Sequence, residues 1–238
     1  MNNILSDPRF ALYGEILLRE NAKYNLTAIT DPAEIRQKHF ADSLALLDVL
    51  DALSNSEAQH MLTRPEGACP PQAQVLDVGS GAGFPGAPLA IARPDWRVTL
   101  LEATAKKARF LRLLAGELAL PLTVINARAE IAARDPALRE RFDLVVSRAV
   151  AALPMLCELC LPFVKPGGLF VAYKGAEARA GEELAQAARA IAALGARCER
   201  IAEETTVYGQ RTLIMLRKIS QIPAIYPRNH GIMLKRPL

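Results

Sequence analysis

Apolar and polar residues follow two different periods along the chain, and the period changes near residue 70. Before that point, apolar residues recur at spacings of three and four after Asp7-Pro8 and again after Asp31-Pro32. An acidic residue followed by proline is a typical helix start, because the side chain caps the first turn and proline suits its first position. Residues 1–70 are therefore predicted to form a small helical extension, which ends in a linker at residues 55–71.

From residue 71 onward, short aliphatic runs alternate with stretches of helical pattern. Such alternation is typical of α/β domains, in which right-handed crossovers join parallel strands. The last two aliphatic runs flank a Gly-Gln-Arg turn and predict a hairpin. Residues 71–238 are thus predicted to be one α/β domain with a mostly parallel sheet that ends in this antiparallel hairpin. Strands are predicted at residues 75–78, 97–102, 122–126, 142–149 with its exit loop, 166–175, 205–208 and 213–216.

A glycine-rich loop follows the first predicted strand, in the sequence Val-Leu-Asp-Val-Gly-Ser-Gly-Ala-Gly-Phe-Pro-Gly at residues 75–86. Glycine adopts positive φ at little cost, and without Cβ it lets a ligand approach the backbone. The N–H groups at the start of the following helix favour an anionic group of that ligand. The loop is therefore predicted to bind a cofactor.

Two cofactors fit the spacing of these glycines. Gly81, Gly83 and Gly86 match the G-x-G-x-x-G pattern of dinucleotide-binding loops, whereas Gly79, Gly81 and Gly83 match a G-x-G-x-G loop that follows Asp77. A dinucleotide strand is usually apolar at that point, because the turn must bring a pyrophosphate close. S-adenosylmethionine (SAM) carries a sulfonium and an ammonium, which a carboxylate attracts. Asp77 favours SAM, with a capping role for its side chain as the simpler alternative.

Two further acidic residues are placed to hold an adenosine group. Glu102 ends the second predicted strand, and ~20 residues after the loop is the distance at which an acid accepts hydrogen bonds from ribose hydroxyls. Glu130 follows the third strand, at the edge where open sheets hold their ligands, and is predicted to accept from an adenine amino group. These acids support an adenosine-containing cofactor without separating SAM from NAD.

Composition limits the classes of protein that fit. The chain has 238 residues, of which 51% are hydrophobic, and its four cysteines are too few and too scattered for a disulfide scaffold. No apolar run approaches the ~18 residues of a membrane span, and no signal-peptide pattern is present. We therefore expect a cytoplasmic protein with no membrane contact. Cys157 and Cys160 lie on one face of an apolar helix, and no ligand spacing predicts a metal site.

The C-terminal tail is basic. The formal net charge of the whole chain is +4, and after Glu204 there are basic residues but no Asp or Glu. Such a tail is predicted either to contact phosphates or to be a solvated end. Among its residues, Arg228, Lys235 and Arg236 are the candidates for contact with the phosphates of a nucleic acid such as RNA.

The exit from the fourth strand, Ser147-Arg148-Ala149-Val150, restricts the chemistry of a methyl transfer. Methylases of exocyclic amino groups usually place Asn or Asp before a Pro-Pro pair here, and methylases of cytosine C5 need an attacking thiolate. The first motif is absent here, and Cys157 and Cys160 are predicted to be packing residues. The remaining class of nucleophile already carries an available lone pair, such as a purine ring nitrogen, and needs only to be held ~3–3.5 Å from the methyl group.

Five segments together resemble the RsmG (GidB) family of bacterial SAM-dependent methyltransferases, namely residues 24–29, 38–43, 76–86, 142–149 and 173–175. The resemblance implies a class I methyltransferase fold and methylation of N7 of one guanine in the decoding-region loop of 16S ribosomal RNA. It also implies that the substrate is the small ribosomal subunit or an assembly intermediate, and we expect a monomer.

By position, the resemblance also implies roles for single residues. Gly79 and Phe84 resemble cofactor contacts in the loop, and Ala129 with Glu130 resembles the contact on the adenine side. Arg148 resembles the residue that lines the cofactor or substrate pocket, and we take it as the candidate catalytic residue. A guanidinium that donated to guanine N7 would occupy the attacking lone pair, so Arg148 is expected on the SAM carboxylate or on an RNA phosphate.

The resemblance leaves two points open. It draws His39 and Asp42 into the site without fixing a role, whereas the pattern around His39 by itself predicts a packed core histidine. In the tail, His230 and Met233 stand where the family usually has prolines. Two alternatives to a methyltransferase remain from the sequence, a nicotinamide-dependent oxidoreductase and a ribosome-assembly module with a vestigial pocket.

Overall fold

One mixed sheet forms the centre of the molecule in the computed structural model, which describes residues 4–53, 73–175, 180–206 and 209–238. The sheet has seven strands in the order β3-β2-β1-β4-β5-β7-β6. Their bounds are β1 Gln74–Val78, β2 Arg97–Glu102, β3 Thr123–Asn126, β4 Phe142–Arg148, β5 Val164–Lys174, β6 Ala196–Thr206 and β7 Gly209–Lys218. Strands β1 to β5 are parallel, so their carboxyl ends lie along one edge of the sheet.

The predicted hairpin is confirmed, and it is longer than the sequence suggests. Strand β7 pairs antiparallel with both β5 and β6, and the β6–β7 ladder extends from Ala196 opposite Lys218 to Thr206 opposite Gly209. The prediction began only at residue 205, because charged residues such as Arg197 and Arg200 interrupt the apolar pattern of this edge strand. Residues 207 and 208 of that prediction lie outside the described residues.

Helices cover the sheet, and several begin where the sequence predicts. Asp7 caps α1, its Oδ1 accepting from the N–H of Arg9 at 2.9 Å, and Asp31 caps α2 through the N–H of Glu34 at 2.8 Å. A π-helical turn, Arg36–Ala41, joins α2 to α3. The helices are α1 Pro8–Tyr24, α2 Pro32–Ile35, α3 Asp42–Leu53, α4 Gly86–Ala92, α5 Ala105–Glu117, α6 Ala129–Ala132, α7 Leu153–Cys160, α8 Ala180–Ala193 and α9 His230–Lys235.

The N-terminal helices share a hydrophobic core with one face of the sheet. Phe10 and Tyr13 of α1 and Leu44 of α3 are buried in the same cluster as Val75 of β1 and Leu100 of β2. The described part of the extension therefore packs directly on the sheet and reaches its carboxyl edge. The predicted linker at 55–71 lies outside the described residues, and the division at residue 70 stays a prediction.

The other face of the sheet packs against α7 and α8. Cys157 and Cys160 of α7 are fully buried in this second cluster, which confirms that they are packing residues. Burial raises the pKa of both thiols well above the ordinary value. Across the described ranges, no helix is long and apolar enough to span a membrane, and no three His, Cys, Asp or Glu side chains are grouped as metal ligands.

Candidate active site

The glycine loop adopts the backbone that its sequence predicts. Gly79, Gly81 and Gly83 have φ angles of +75°, +58° and +100°, which L side chains rarely adopt. A side chain at Gly79 would also place its Cβ 2.5 Å from Val150 Cγ2. Val150 belongs to the β4 exit loop, residues 149–152, so the glycine loop and this exit loop are in close contact.

The glycine loop rests on Tyr13 of α1. The Tyr13 hydroxyl donates to the carbonyl of Ala82 at 2.6 Å, and a Cβ at Gly83 would overlap that hydroxyl. The Tyr13 ring stacks on Phe84, with ring centroids 5.3 Å apart and an interplanar angle of 10°. The N-terminal extension thus fixes the conformation of the loop that is predicted to hold the cofactor.

Asp77 lies behind the glycine loop and is fully buried. Its Oδ2 accepts from the N–H of Gly86 at 2.9 Å, which is the capping role that the sequence left as the simpler alternative. Its Oδ1 is buried without a hydrogen-bond partner among the described residues, so a contact of Asp77 with a cofactor stays a prediction. Burial raises the pKa of this carboxyl to about 7, although the Gly86 hydrogen bond and Arg148 act in the opposite direction.

The position of Asp77 argues against a dinucleotide. The pyrophosphate of NAD would need the N–H groups at the start of α4, where the Gly86 N–H is already bonded to a carboxylate. A Cβ at Gly86 would lie 2.5 Å from Leu100 Cδ2, so this glycine allows close packing of α4 on the sheet. The third glycine of a dinucleotide loop serves the same packing, so Gly86 does not separate the two cofactors.

The raised pKa of Asp77 leads to a pH-dependent stability. A carboxyl group with a pKa of about 7 in the folded state and 3.8 as its ordinary value holds its proton more tightly when folded. Stability is therefore lost as the pH rises from about 4 to about 7. Asp77→Asn cannot ionise and should lack this loss. We therefore expect the unfolding free energy of the variant, relative to that of the wild type, to increase by up to about 4 kcal/mol between pH 4 and pH 8.

Urea unfolding of both ligand-free proteins at pH 5, 6, 7 and 8 measures this difference. A difference in unfolding free energy that is the same at all four values would show that the Asp77 pKa is not raised by folding.

Glu102 holds the other side of the glycine loop. Its Oε2 accepts from the N–H of Gly81 and its Oε1 from the N–H of Thr104, at 2.9 and 2.7 Å. Each carboxylate oxygen has a second lone pair, so the predicted contact with ribose hydroxyls is compatible with these bonds and stays a prediction.

An apolar cavity of about 140 Å³ opens at the carboxyl ends of β1, β2 and β3. It brings together Gly79, Ala129 and Glu130, which the sequence assigned to one cofactor site from separate segments. The Glu130 carboxylate is nearly buried and accepts from Arg128 Nε at 2.5 Å. We call this space the apolar cavity; its other walls include Leu101, Ala103, Ala127, Val150 and His230.

A second cavity of about 410 Å³ lies on the other side of the β4 exit loop. Val150 of that loop lines the apolar cavity, whereas Ala149 and Ala151 line the second one. We call this space the basic cavity, because its polar walls are mainly cationic. Its charged and polar lining consists of Lys38, His39, Asp42, Arg148, Tyr173, Lys174 and Arg211.

Asp42 holds two arginines at the wall of the basic cavity. Its Oδ2 lies 2.6 Å from Arg148 Nη1, and its Oδ1 lies 2.5 Å from Arg211 Nε. The Asp42 side chain is only 4% exposed, whereas those of Arg148 and Arg211 are 17% and 31% exposed. The buried carboxylate thus orients two guanidinium groups that remain partly accessible from the cavity.

His39 connects this cluster to the glycine loop. Its ring stacks on Phe84 with centroids 4.5 Å apart, Nε2 lies 2.8 Å from Thr27 Oγ1, and Nδ1 lies 3.3 Å from Arg148 Nη2. Burial and then the charge of Arg148 lower the pKa of His39 to about 4, so the ring is neutral at neutral pH. Because arginine has no acceptor, Nδ1 accepts from Arg148. His39 is therefore a site residue as well as a packed one.

The predicted candidate Arg148 lies in the basic cavity and not among the residues that line the apolar one. Its guanidinium also donates to the carbonyl of Lys38 at 3.3 Å and lies over the Phe84 ring, 5.1 Å from the centroid. Its catalytic role stays a prediction.

Sequence reasoning missed several residues of the site. Tyr13 is one of the apolar positions of the helix predicted after Asp7-Pro8 and was given no role. Lys38 and Lys174 belong to segments that carried the family resemblance without a role. Arg211 was counted with the basic tail, although it lies on β7 and reaches Asp42. The only sequence signal for the basic cavity was the family resemblance of segments 38–43 and 173–175, which supply part of its lining.

Arg228, which was predicted to contact RNA, has a partner within the protein, and its contact with RNA stays a prediction. Its guanidinium forms two bonds to Glu158, from Nε to Oε1 at 2.8 Å and from Nη2 to Oε2 at 2.7 Å. The Glu158 side chain is 1% exposed, so this is a buried ion pair that anchors the tail on α7. Lys235 and Arg236 are exposed, and for them contact with RNA stays a prediction.

Arg228→Ala is expected to lower the free energy of unfolding by about 3 kcal/mol, because it leaves the Glu158 carboxylate buried and unpaired. Urea unfolding at neutral pH measures the loss. A loss of less than about 0.5 kcal/mol would show that the pair with Glu158 does not stabilise the fold.

The double variant Lys235→Ala, Arg236→Ala is the control for Arg228→Ala, because it removes exposed basic residues of the same tail. We expect this double variant to keep its stability within about 0.5 kcal/mol and to reduce the salt dependence of RNA binding, since each phosphate contact releases counterions. An unchanged salt slope would remove both residues from the RNA interface.

The strand order, the glycine loop after β1 and the cavity at the carboxyl ends of the strands together define a class I SAM-dependent methyltransferase. Among solved structures, a 16S rRNA (adenine(1408)-N(1))-methyltransferase from Catenulisporales acidiphilia has the same fold, with a TM-score of 0.52 and 17% identity. The match covers 66% of this chain and 87% of that one. More specifically, the GidB family, described as rRNA small subunit methyltransferase G, matches residues 7–214, and the chain belongs to this family.

Relatives of known name agree with this assignment. The ribosomal RNA small subunit methyltransferase G of Pelotomaculum thermopropionicum is 41% identical over 233 residues, which cover 97% of this chain and 90% of that protein. The enzyme of the same name from Geobacillus thermodenitrificans is 42% identical over 235 residues, with the same coverage of both chains. The family resemblance inferred from the five sequence segments is confirmed.

Proposed function

We propose that this protein transfers the methyl group of SAM to N7 of a guanine in 16S rRNA. The observation that carries the proposal is the pair of cavities on the two sides of the β4 exit loop, one apolar and one basic. A donor in the first cavity and an acceptor in the second would be separated only by this loop and the end of β4. Such an arrangement suits a direct transfer between two bound groups.

The apolar cavity suits the adenosine part of SAM. Ala129 and Glu130 would hold the adenine side, and Gly79 would contact the cofactor from the glycine loop. Glu102, which holds that loop, would accept from the ribose. Asp77 Oδ1, which has no partner among the described residues, suits the ammonium group, and this would also favour the ionised carboxylate. When bound, SAM supplies a methyl group on a positively charged sulfur.

The basic cavity suits a nucleotide of RNA. Lys38 and Lys174 line the cavity, where they are paired with Glu34 and Glu183. Arg148 and Arg211 share a single carboxylate, Asp42, so this cluster keeps a net positive charge that attracts phosphate groups. Arg148 is thereby oriented to donate to a phosphate or to guanine O6, which leaves the N7 lone pair free for the methyl group.

The two possible bases in the described lining of the basic cavity are both occupied. Asp42 is ion-paired with two guanidinium groups, and His39, with its pKa of about 4, is a weak base. An exocyclic amino group would have to lose a proton on methylation, whereas guanine N7 does not. This supports a ring nitrogen as the acceptor.

We further propose that the substrate is the small ribosomal subunit or an assembly intermediate in the cytoplasm, and that the protein acts as a monomer. The basic cavity and the exposed Lys235 and Arg236 of the tail support a large RNA partner. Light scattering of the protein with and without small subunits would measure both the oligomeric state and the complex.

The activity is tested with labelled SAM and small subunits from a strain that lacks the endogenous enzyme. The rRNA is then treated with borohydride and aniline, which cleave the chain at N7-methylguanine. We expect one new cleavage site with the wild-type protein and a weaker one, at the same position, with Gly83→Ala at limiting SAM. Label without any new cleavage would contradict N7 as the acceptor.

The same assay tests the alternative of an assembly module. A protein that binds small subunits but transfers no label would support a vestigial pocket. Binding of NADH with no binding of SAM, measured by calorimetry, would support the oxidoreductase instead.

A further inference from the structure

Helix α5 presents a basic face to solvent. Lys106, Arg109 and Arg112 are exposed and lie three residues apart, so they follow one another on successive turns over about 9 Å of the helix. Lys106 lies over the Tyr24 ring, and Arg112 Nη2 donates to the carbonyl of Val124. Within the described ranges, none of the three is paired with a carboxylate, so this α5 basic face keeps its full positive charge.

The neighbouring helix α1 shows how a solvated surface is usually arranged. Its cations Arg19 and Lys23 both pair with Glu20, at 3.0 and 3.1 Å. Arg19 also pairs with Glu117, the one acidic residue of α5. Charges of both signs mixed in this way are typical of a helix surface that contacts only water. A face that carries one sign of charge and has no internal partner instead indicates a partner of opposite charge.

The α5 basic face begins at the edge of the sheet that carries the active site. Helix α5 starts shortly after Glu102, which ends β2 and holds the glycine loop. Its first turn therefore lies at the carboxyl edge, where the two cavities open. Helix side chains tilt toward the N-terminus of their helix, and this directs the three cations toward the same edge.

A short segment of chain connects the α5 basic face to the basic cavity. Tyr24, whose ring centroid is 5.7 Å from Lys106 Nζ, ends α1, and Ile29 lines the basic cavity. Five residues of chain span at most about 18 Å, so the backbone beside Lys106 lies within that distance of the cavity wall. An RNA strand with one nucleotide in the cavity would therefore have its neighbouring nucleotides near this face.

We propose that Lys106, Arg109 and Arg112 bind phosphate groups of the rRNA strand that flank the nucleotide held in the basic cavity. This inference rests on the proposed function, because it needs an RNA substrate whose target nucleotide enters that cavity. Phosphate contacts fix the position of a nucleic acid and add affinity, but they do not read its bases. The α5 basic face thus positions the RNA and does not select the guanine.

The test compares two double variants that each remove two exposed arginines. Arg109→Gln with Arg112→Gln removes most of the α5 basic face, and glutamine keeps the helix propensity. The matched control is Arg189→Gln with Arg200→Gln, because Arg189 lies on α8 across the sheet and Arg200 lies on β6, at the opposite end of the strand order from β2 and β3.

Binding of small subunits is measured between about 0.05 and 0.3 M salt. For the α5 variant, the slope of log K against log salt concentration should become shallower by about 1.5, since each lost phosphate contact contributes about 0.7 to 0.9. We expect about a tenfold loss of affinity at about 0.1 M salt, a higher KM for subunits and an unchanged kcat. The control variant should match the wild type. Equal slopes for the wild type and the α5 variant, or equal losses in the two variants, would overturn the inference.

Bare 16S rRNA, freed of ribosomal proteins, identifies the partner of the face. The same change of slope is expected with this RNA as with small subunits. A change seen only with small subunits would indicate an acidic ribosomal protein instead and would overturn the inference. Urea unfolding and S-adenosylhomocysteine binding should stay at wild-type values. A loss in either would assign these arginines to the fold of the cofactor site and would also overturn it.

Failure of this inference and failure of the proposed function give different results. If the wild type methylates the subunit and the α5 variant binds and methylates equally well at every salt concentration, the role of α5 is wrong and the proposed function stands. If the wild type transfers no methyl group to rRNA, the proposed function is wrong and the inference falls with it.

Discussion

Asp42→Asn is expected to lower kcat/KM for rRNA methylation about 100-fold, the scale found when a preorganised electrostatic contact is removed from an active site. The amide keeps the shape of the side chain but loses the charge that holds Arg148 and Arg211. Both guanidinium groups then lose their fixed orientation at the basic cavity. Steady-state kinetics with small subunits as substrate measure the loss.

The affinity for S-adenosylhomocysteine is the internal control, because Asp42 does not line the apolar cavity. We expect it to stay within about threefold of the wild type, a change of less than 1 kcal/mol. Asp95→Asn is the matched variant, since Asp95 also pairs with an arginine, Arg93, but its side chain is 56% exposed. Equal activity of the two variants would show that the Asp42 cluster is only structural.

Gly83→Ala is expected to destabilise the protein by about 3 kcal/mol or more and to weaken S-adenosylhomocysteine binding at least about tenfold. Two effects add at this position. The φ angle of +100° is strained for alanine, and the new Cβ would overlap the Tyr13 hydroxyl that supports the loop. Urea unfolding and calorimetry measure the two losses.

Gly81→Ala separates these effects. Gly81 also has a positive φ, +58°, but its nearest neighbour to a new Cβ is the Gly79 carbonyl oxygen at 3.9 Å. It should therefore lose only about 1 kcal/mol, from backbone strain. Tyr13→Phe combined with Gly83→Ala should recover part of the loss, since the hydroxyl is gone. If Gly83→Ala were no worse than Gly81→Ala, the contact with Tyr13 would not constrain the loop.

Local features of the site could be predicted from the sequence because they depend on neighbouring residues. The strand, the positive φ angles and the helix start between Val75 and Gly86 follow from glycine and proline chemistry within twelve residues. Glu102 ends β2 as predicted. Glu130 lies in the first turn of α6, beyond the end of β3, but at the same carboxyl edge, which parallel strands share. Asp77 was recognised as important, although its observed bond is to the backbone of Gly86.

The basic cavity could not be predicted, because its contacts join distant segments. Asp42 and Arg148 are 106 positions apart. The same holds for the support of the glycine loop, where Tyr13 and Ala82 are 69 positions apart. Neither hydrophobic periodicity nor motif spacing indicates that two such distant residues are in contact. The sequence also treated the tail as one basic stripe, whereas Arg228 is paired with Glu158, a single carboxylate on an otherwise apolar helix. Charge counts do not show which cations are already neutralised.

Phe84 connects the cofactor loop to the basic cavity, so binding at one site can affect binding at the other. Its ring stacks with Tyr13, which supports the cofactor loop, and with His39, which contacts Arg148 in the basic cavity. A shift of the loop on cofactor binding would therefore displace the group that aligns the acceptor. Thermodynamic linkage then requires reciprocity: whatever factor the donor contributes to the affinity for RNA, the RNA contributes equally to the affinity for the donor.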